Sequence, residues 1–250
     1  MTPMVELKNI TIRYHSTSGE TKAVSDLSFS IEQGEFVCIV GPSGCGKSSI
    51  LSMLAGLIKP SSGTFKIHSQ TNIGYMLQKD YLLEWRNIFS NACLGLEIQN
   101  KLTPENIQRV EKLLELYGLR EFKYHMPSQL SGGMRQRVAL IRTLAIQPDV
   151  LLLDEPFSAL DYQTRLYVSD EIGTIIRKEK KTAILVSHDI SEAISLSDRV
   201  FVLSHRPASL KSVHKIDLSI EDRTPMKARE APEFKDYFNK IWKELDIHVA

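Results

Sequence analysis

Residues 36–49 read FVCIVGPSGCGKSS. The run FVCIV is apolar throughout, the pattern of a strand covered on both faces within a parallel sheet. Glycines, a lysine and small side chains follow. After Lys47, the apolar residues Ile50, Leu51, Leu54 and Leu57 recur at intervals of three and four, as on one face of a helix over 47–57. The stretch therefore predicts strand, glycine-rich loop, helix. Gly41, Gly46, Lys47 and Ser48 fill the pattern G-x-x-x-x-G-K-[ST]. Such a loop turns consecutive backbone N–H groups inward around a polyphosphate, and side chains would block that approach. Glycine permits the required dihedrals, and the helix behind adds the positive end of its dipole. The candidate nucleotide-binding run is Gly41, Pro42, Ser43, Gly44, Cys45, Gly46, Lys47, Ser48 and Ser49. Lys47 supplies a point charge to the β- and γ-phosphates, and the Ser48 hydroxyl is a Mg²⁺ ligand.

A second stretch supports this reading. Residues 150–155, VLLLDE, form an apolar strand ending in two acids. A carboxylate at a buried strand end is costly unless a cation or hydrogen bonds compensate it. The carboxyl edge of a parallel sheet is also where such folds bind ligands. Asp154 is the candidate Mg²⁺ ligand, acting through the ion's water shell because Mg²⁺ dehydrates reluctantly. Glu155 is the candidate group that orients and polarises an attacking water.

Bulk properties narrow the class. A chain of 250 residues makes one large domain or two small ones. A net charge of +1 gives no global field that would gather nucleic acid, so no nucleic-acid partner is expected. The three cysteines, Cys38, Cys45 and Cys93, are odd in number and fit neither a zinc site nor a disulfide framework, which suits a reduced, cytosolic setting. The opening residues MTPMVELKNITIRYH lack the charged and apolar regions of a signal peptide. No apolar stretch approaches the roughly 20 residues that span a bilayer. Any work at a membrane then needs another chain as anchor.

Along the chain, 5–31 alternates with period two (Val5, Leu7, Ile10, Ile12, Tyr14; then Leu27, Phe29, Ile31), predicting half-buried antiparallel strands around a loop at 15–21, HSTSGET. Glu32-Gln33-Gly34 reads as a turn. Lys59-Pro60-Ser61-Ser62-Gly63 ends the first helix, and 65–67 and 73–76 are short strands. Residues 80–130 lack a strong strand run. TPENIQRVEKLLELYG is a helix, with Thr103 as N-cap, Pro104 at its first position, Gly118 past its end, and Ile107, Val110, Leu114 and Tyr117 as its apolar stripe. Helix (132–146), strand (150–154), helix (162–178), strand (182–187), helix (190–197) and strand (199–203) then alternate, implying a parallel sheet. An amphipathic helix over 231–247 uses Phe234, Phe238, Ile241 and Leu245. The expected architecture is an α/β core with an N-terminal antiparallel β subdomain and an inserted helical subdomain at about 80–135. The main domain covers 1–230, and 231–250 is a C-terminal amphipathic helix.

Residues 130–136, LSGGMRQ, resemble the signature motif of the ATP-binding cassette (ABC) ATPases. Gln78 in GYMLQ, Ser158-Ala159-Leu160-Asp161 and His188 in VSHD complete that family's pattern in order, so the resemblance covers 5–205. It implies a P-loop NTPase fold, ATP and Mg²⁺ as substrate and cofactor, and ATP hydrolysis. Tyr14 is then expected to stack on adenine, although an edge-strand aromatic is as often simply packed. Gln78 contacts Mg²⁺ or the attacking water, and His188 hydrogen-bonds the γ-phosphate. Asp161 helps align a dimer. In that dimer Ser131, Gly132 and Gly133, a second anion-binding helix start, close on the ATP held by the opposite chain's phosphate loop. A single copy of each motif implies a homodimer with two composite sites. Met134 stands where the signature usually has Gln and removes a polar side chain near the nucleotide.

LLEWRN (82–87), SGGMRQRV (131–138) and DRVFVLSHRP (198–207), followed by a tail ending in PEFKDYFNKIWKEL, resemble the nitrate/sulfonate/taurine importer branch. This implies the ATPase subunit of an importer on the cytoplasmic face of a membrane. Transmembrane permease subunits would dock near Tyr81–Trp85, with a solute-binding protein as an indirect partner. The alternative for Tyr81, Leu82, Leu83 and Trp85 is that they pack the helical subdomain. The alternative for the whole chain is a non-transport ABC ATPase, such as an iron–sulfur assembly ATPase.

Overall fold

The computed structural model describes residues 3–17, 19–68, 71–221 and 223–245. Strands β1 (Val5–Ser16) and β2 (Gly19–Ile31) form a long antiparallel pair, followed by β3 (Phe36–Val40) and helix α1 (Lys47–Leu54). Next come β4 (Ser62–Ile67), β5 (Ile73–Met76), and helices α2 (Ile88–Ala92), α3 (Leu94–Ile98), α4 (Pro104–Leu116) and α5 (Gly132–Ala145). The chain continues through β6 (Val150–Asp154), α6 (Tyr162–Lys178), β7 (Thr182–Val186), α7 (Ile190–Leu196), β8 (Arg199–Leu203) and β9 (Leu210–Lys215), then α8 (Pro225–Ala228) and α9 (Phe234–Glu244).

Two sheets result. The antiparallel one has the order β2-β1-β4; the other has the order β5-β6-β7-β3-β8-β9 and is parallel except for β9. The unbroken apolar strands follow from burial on both faces. Phe36, Cys38, Val40, Leu151, Leu153, Ala183 and Leu185 enter one core with helices α2 to α9. Val37, Ile39, Val150, Leu152, Ile184 and Val186 enter the other, against α1 and the antiparallel sheet. The parallel order brings the ends of β3, β5, β6 and β7 to one edge, the carboxyl edge where ligands bind in open α/β sheets.

Most expected elements fall where the pattern put them, with local corrections. The loop expected at 15–21 is largely paired strand instead: Tyr14, His15 and Ser16 pair with Thr21, Glu20 and Gly19, and Arg13 donates to Glu20 at 3.0 Å. Cross-strand pairing there overrides the polar, turn-like composition; Ser18 lies outside the described residues. Helix α1 stops at Leu54, not Leu57, because Gly56 adopts φ 76 and turns the chain away, leaving Leu57 exposed. Thr103 caps α4 through Asn106 N–H, and Gly118 is left-handed at φ 67. Strand β9 carried no prediction, for LKSVHK offers only two apolar residues. It forms because β8 presents a free edge, pairing Val200 with His214 and Val202 with Ser212. In the tail, Ile241 and Leu245 are buried in the core that α7 also enters; positions 246–250 lie outside the described residues. Among those described, no helix is long and apolar enough to cross a membrane.

Candidate active site

The phosphate loop is built by β3 and closed by packing. Gly46 has φ 128, and a Cβ there would stand 2.8 Å from the Ala23 carbonyl oxygen on β2, so glycine is required on both counts. Cys45 is buried against the loop, and burial raises its thiol pKa. Pro42 accepts from Cys45 N–H at 3.2 Å. The Lys47 ammonium turns back into the loop and donates to the carbonyls of Gly41 (2.8 Å) and Pro42 (3.0 Å). It is buried at 7% exposure, so its charge is delivered at the loop and not to bulk water. Tyr14, 42% exposed on β1, donates to Ser49 Oγ at 3.0 Å, which holds its ring beside the first turn of α1.

Asp154 ends β6 at 3% exposure. Burial is the main force raising its carboxyl pKa, and Glu155 adds to it; the Ser48 hydroxyl and the Lys47 ammonium pull the other way. Its Oδ1 is buried with no hydrogen-bond partner. A buried acceptor left open next to a serine hydroxyl and a lysine suits a cation. The described residues hold no group of three or more His, Cys, Asp or Glu able to cage a metal. That donor set fits Mg²⁺, which keeps waters and takes oxygens from a bound phosphate.

The next residue turns sharply. Glu155 adopts φ 47 and is held by donating its N–H to the Val186 carbonyl at 2.9 Å. Its Oε2 accepts from Gln78 Nε2 at 3.0 Å and lies 3.4 Å from His188 Nδ1. Three candidates from β5, β6 and β7 thus meet on one carboxylate oxygen. An exposed His188 beside a part-buried carboxylate can hydrogen-bond a group placed between them. The carboxylate itself is a base within reach of a water at the same edge.

The remaining candidates lie elsewhere. Ser131 caps α5 by accepting from Met134 N–H at 3.3 Å, and both Ser131 and Gly132 are exposed. Among the described residues no hydrogen bond joins them to the phosphate loop. Met134 is partly buried against the main core, so its side chain serves packing at this position. Asp161 caps α6 through Thr164 N–H at 3.0 Å, and the Thr164 hydroxyl first, then that N–H, lowers its carboxyl pKa; among the described residues no hydrogen bond or ion pair joins it to Lys47 or Glu155.

The loop after Gln78 divides. Leu82 is buried, whereas Tyr81 and Trp85 are 58% and 76% exposed. The packing and the exposed readings of this segment each hold for part of it. The backbone is fixed by side chains to which the sequence assigned no such role. Arg142 donates to the carbonyls of Tyr81 (2.9 Å) and Asp80 (2.7 Å), and Asn91 holds both the N–H and the carbonyl of Leu83. Arg135 pairs with Asp80 at 3.1 Å, and Gln136 donates to the Gln78 carbonyl at 3.3 Å. For Arg135, Gln136 and Arg142 the signal is their spacing along α5, legible only once α5 is known to lie against this loop; Asn91, on α2, shows none.

Comparison with known proteins gives the family. The family described as ABC transporter matches residues 24–158. An uncharacterized ABC transporter ATP-binding protein, YtlC of Bacillus subtilis, is 44% identical over 97% of this chain and 95% of its own. The nitrate import ATP-binding protein NrtD of Synechocystis is 36% identical over 95% of this chain and 93% of its own. Among solved structures, a dimeric post-hydrolysis state of the ATP-binding cassette MJ0796 bound to ADP and Pi superposes with a TM-score of 0.79 at 30% identity, covering 86% of this chain and 99% of that one.

Proposed function

The chain belongs to the ABC transporter family of ATP-binding and ATP-hydrolysing cassettes, and from that premise we propose that it is the ATPase subunit of an importer for a small anion of the nitrate, sulfonate or taurine kind. The observation that carries the hydrolytic part is the meeting of Gln78, Glu155 and His188 beside Lys47, Ser48 and Asp154. The importer part is supported by the nitrate import relative and by the exposed, braced aromatics Tyr81 and Trp85.

In this reading two copies pair head to tail. Gly41 to Ser49 wrap the phosphates of ATP in one chain, and Tyr14 lies against its adenine. Ser131, Gly132 and Gly133 of the opposite chain close over the γ-phosphate, with Asp161 at the interface. Their exposure within one chain suits that use. Ser48, Asp154 and Gln78 would hold Mg²⁺, which neutralises phosphate charge when bound. Lys47 stabilises charge spreading over the γ-phosphate, Glu155 accepts a proton from the attacking water, and His188 contacts the γ-phosphate. Closure moves Tyr81 and Trp85, which grip permease subunits, so the protein works as a peripheral subunit at the cytoplasmic face of the membrane. The cassette occupies 1–230, its helical subdomain about 80–135, and the C-terminal segment 231–250 is an addition whose helix α9 docks through Ile241 and Leu245.

Glu155→Gln tests the assignment. It keeps the shape and removes the base, so turnover falls by about 10²–10⁴-fold while ATP still binds and the dimer accumulates on a sizing column. Undiminished hydrolysis in that variant refutes the reading.

A further inference from the structure

Arg165, one turn into α6, belongs to none of the motifs, yet it touches two functional segments. Its Nη2 donates to the carbonyl of Leu160, the residue before Asp161, at 3.2 Å. Its charge forms ion pairs without hydrogen bonds: Nη1 lies 3.7 Å from Asp189 Oδ2, and Nε, which has no hydrogen-bond partner, lies 3.8 Å from Glu192 Oε1. Asp189 and Glu192 frame His188. Asp189 Oδ1 caps α7 by accepting from Ser191 and Glu192 N–H, which leaves Oδ2 to face Arg165. Glu192 is buried at 5% exposure, and its Oε2 accepts from Ser187 Oγ at 2.6 Å; that same Ser187 oxygen accepts from Asp189 N–H at 3.0 Å. On its other side the Leu160 turn abuts the start of α5: a Cβ on Gly133 would stand 3.1 Å from Leu160 Cδ2. One guanidinium therefore bridges the His188 loop and the turn that carries Asp161, and that turn packs on the Ser131 end of α5.

We propose that Arg165 is a positioning residue for ATP hydrolysis, fixing the His188 loop relative to the Leu160–Asp161 turn so that His188 on one site and Ser131 on the facing site are set together. The inference rests on the composite-site reading above. Its physical basis is that the guanidinium hydrogen-bonds a carbonyl with one nitrogen while its delocalised charge faces two carboxylates at ion-pair distance, an arrangement too broad for a compact ammonium to reproduce. Displacing a catalytic contact by about 1 Å is enough to lose on the order of 10²-fold in rate.

A buried glutamate that loses its cation also destabilises the fold, so the test must separate position from charge balance. Arg165→Met leaves Glu192 without its cation; Arg165→Met with Glu192→Gln removes both charges. The groups facing Glu192 are Arg165 from α6, Asp189 and His188 from its own loop, and the thiol of Cys38 from β3. Burial raises the Glu192 carboxyl pKa, while Ser187, Arg165 and His188 hold it down. Removing Arg165 takes away a lowering influence, so Glu192 protonates at higher pH and the acid limb of kcat moves upward.

The expected result has three parts. Arg165→Met lowers both melting temperature and kcat and shifts the acid limb up. The double variant recovers the melting temperature and loses the shift, yet keeps kcat about tenfold to a hundredfold down, with nucleotide affinity within about twofold of the parent. Arg165→Lys falls short of full turnover. A double variant whose kcat returns together with its melting temperature overturns the inference, because Arg165 then only balances a charge. Glu155→Gln assayed alongside separates the two levels. If it hydrolyses at the parent rate, the reading of the site fails and this inference with it. If it is slow while the double variant is fast, only the inference fails.

Discussion

Two helices in this chain begin at glycine-containing turns, and the two starts differ in what surrounds them. The start of α1 is finished from within: Gly46 packs on the Ala23 carbonyl, Lys47 is buried in its own loop, and Asp154 lies alongside. The start of α5 is finished only at its backbone, by the Ser131 cap, and its outer face is bare; a Cβ on Gly132 would meet nothing within 4 Å. Both present backbone donors and a favourable dipole to an anion, but only the first has a lysine and carboxylates around it. The lesson is that, in the reading proposed above, the same local geometry makes a half-site in one place and a lid for another molecule in the other.

The comparison can be broken most forcefully at Lys47. Lys47→Ala should reduce turnover by about 10²–10³-fold, since it removes a preorganised charge from the reacting phosphate; steady-state ATPase assays check it. Next in size is a matched pair of glycine substitutions. Gly46→Ala forces both a left-handed φ and a clash with Ala23, and should destabilise the monomer by roughly 1–3 kcal/mol. Gly132→Ala has room and ordinary dihedrals, so monomer stability should stay within about 0.5 kcal/mol while ATP-driven dimerisation weakens. Equal behaviour of the two variants in urea melts would erase the distinction. Ser131→Ala should remove about 1 kcal/mol of helix stability through the lost cap and slow hydrolysis further in the dimer than that loss explains. The smallest effect is expected at Tyr14. Tyr14→Phe gives up only the partly exposed bond to Ser49 and should leave ATP affinity nearly unchanged. Tyr14→Ala should weaken it by about 1 kcal/mol or more if the ring stacks on the base.

Much of this could be read directly from residues close in the chain. FVCIV, VLLLD and TAILV are apolar because each lies between two cores, and the order strand, glycine loop, helix follows from GPSGCGKSS without any tertiary information. Thr103, Asp161 and Ser131 announce their helices because an N-cap is a bond spanning three residues. The errors share one origin. Leu57 had the right spacing for α1, but Gly56 ended the helix first. The polar residues 15–21 had the composition of a loop, but the pairing of β1 with β2 carried the strands through them. Strand β9 had almost no pattern of its own and exists because β8 offers an edge.

The sequence by itself determined the local chemistry: a loop that can wrap phosphate, an acid at a strand end, a capped helix start with nothing but glycine behind it. Tertiary structure alone decided that Gln78 reaches across 77 residues to Glu155, that His188 joins them, that Arg165 stands between two loops, and that Trp85 faces outward while Leu82 does not. Backbone conformation at a turn or cap is set by neighbours a few residues away. The meeting of side chains depends on the lateral order β5-β6-β7-β3, which no short stretch encodes and which emerges only when both faces of the sheet are buried together.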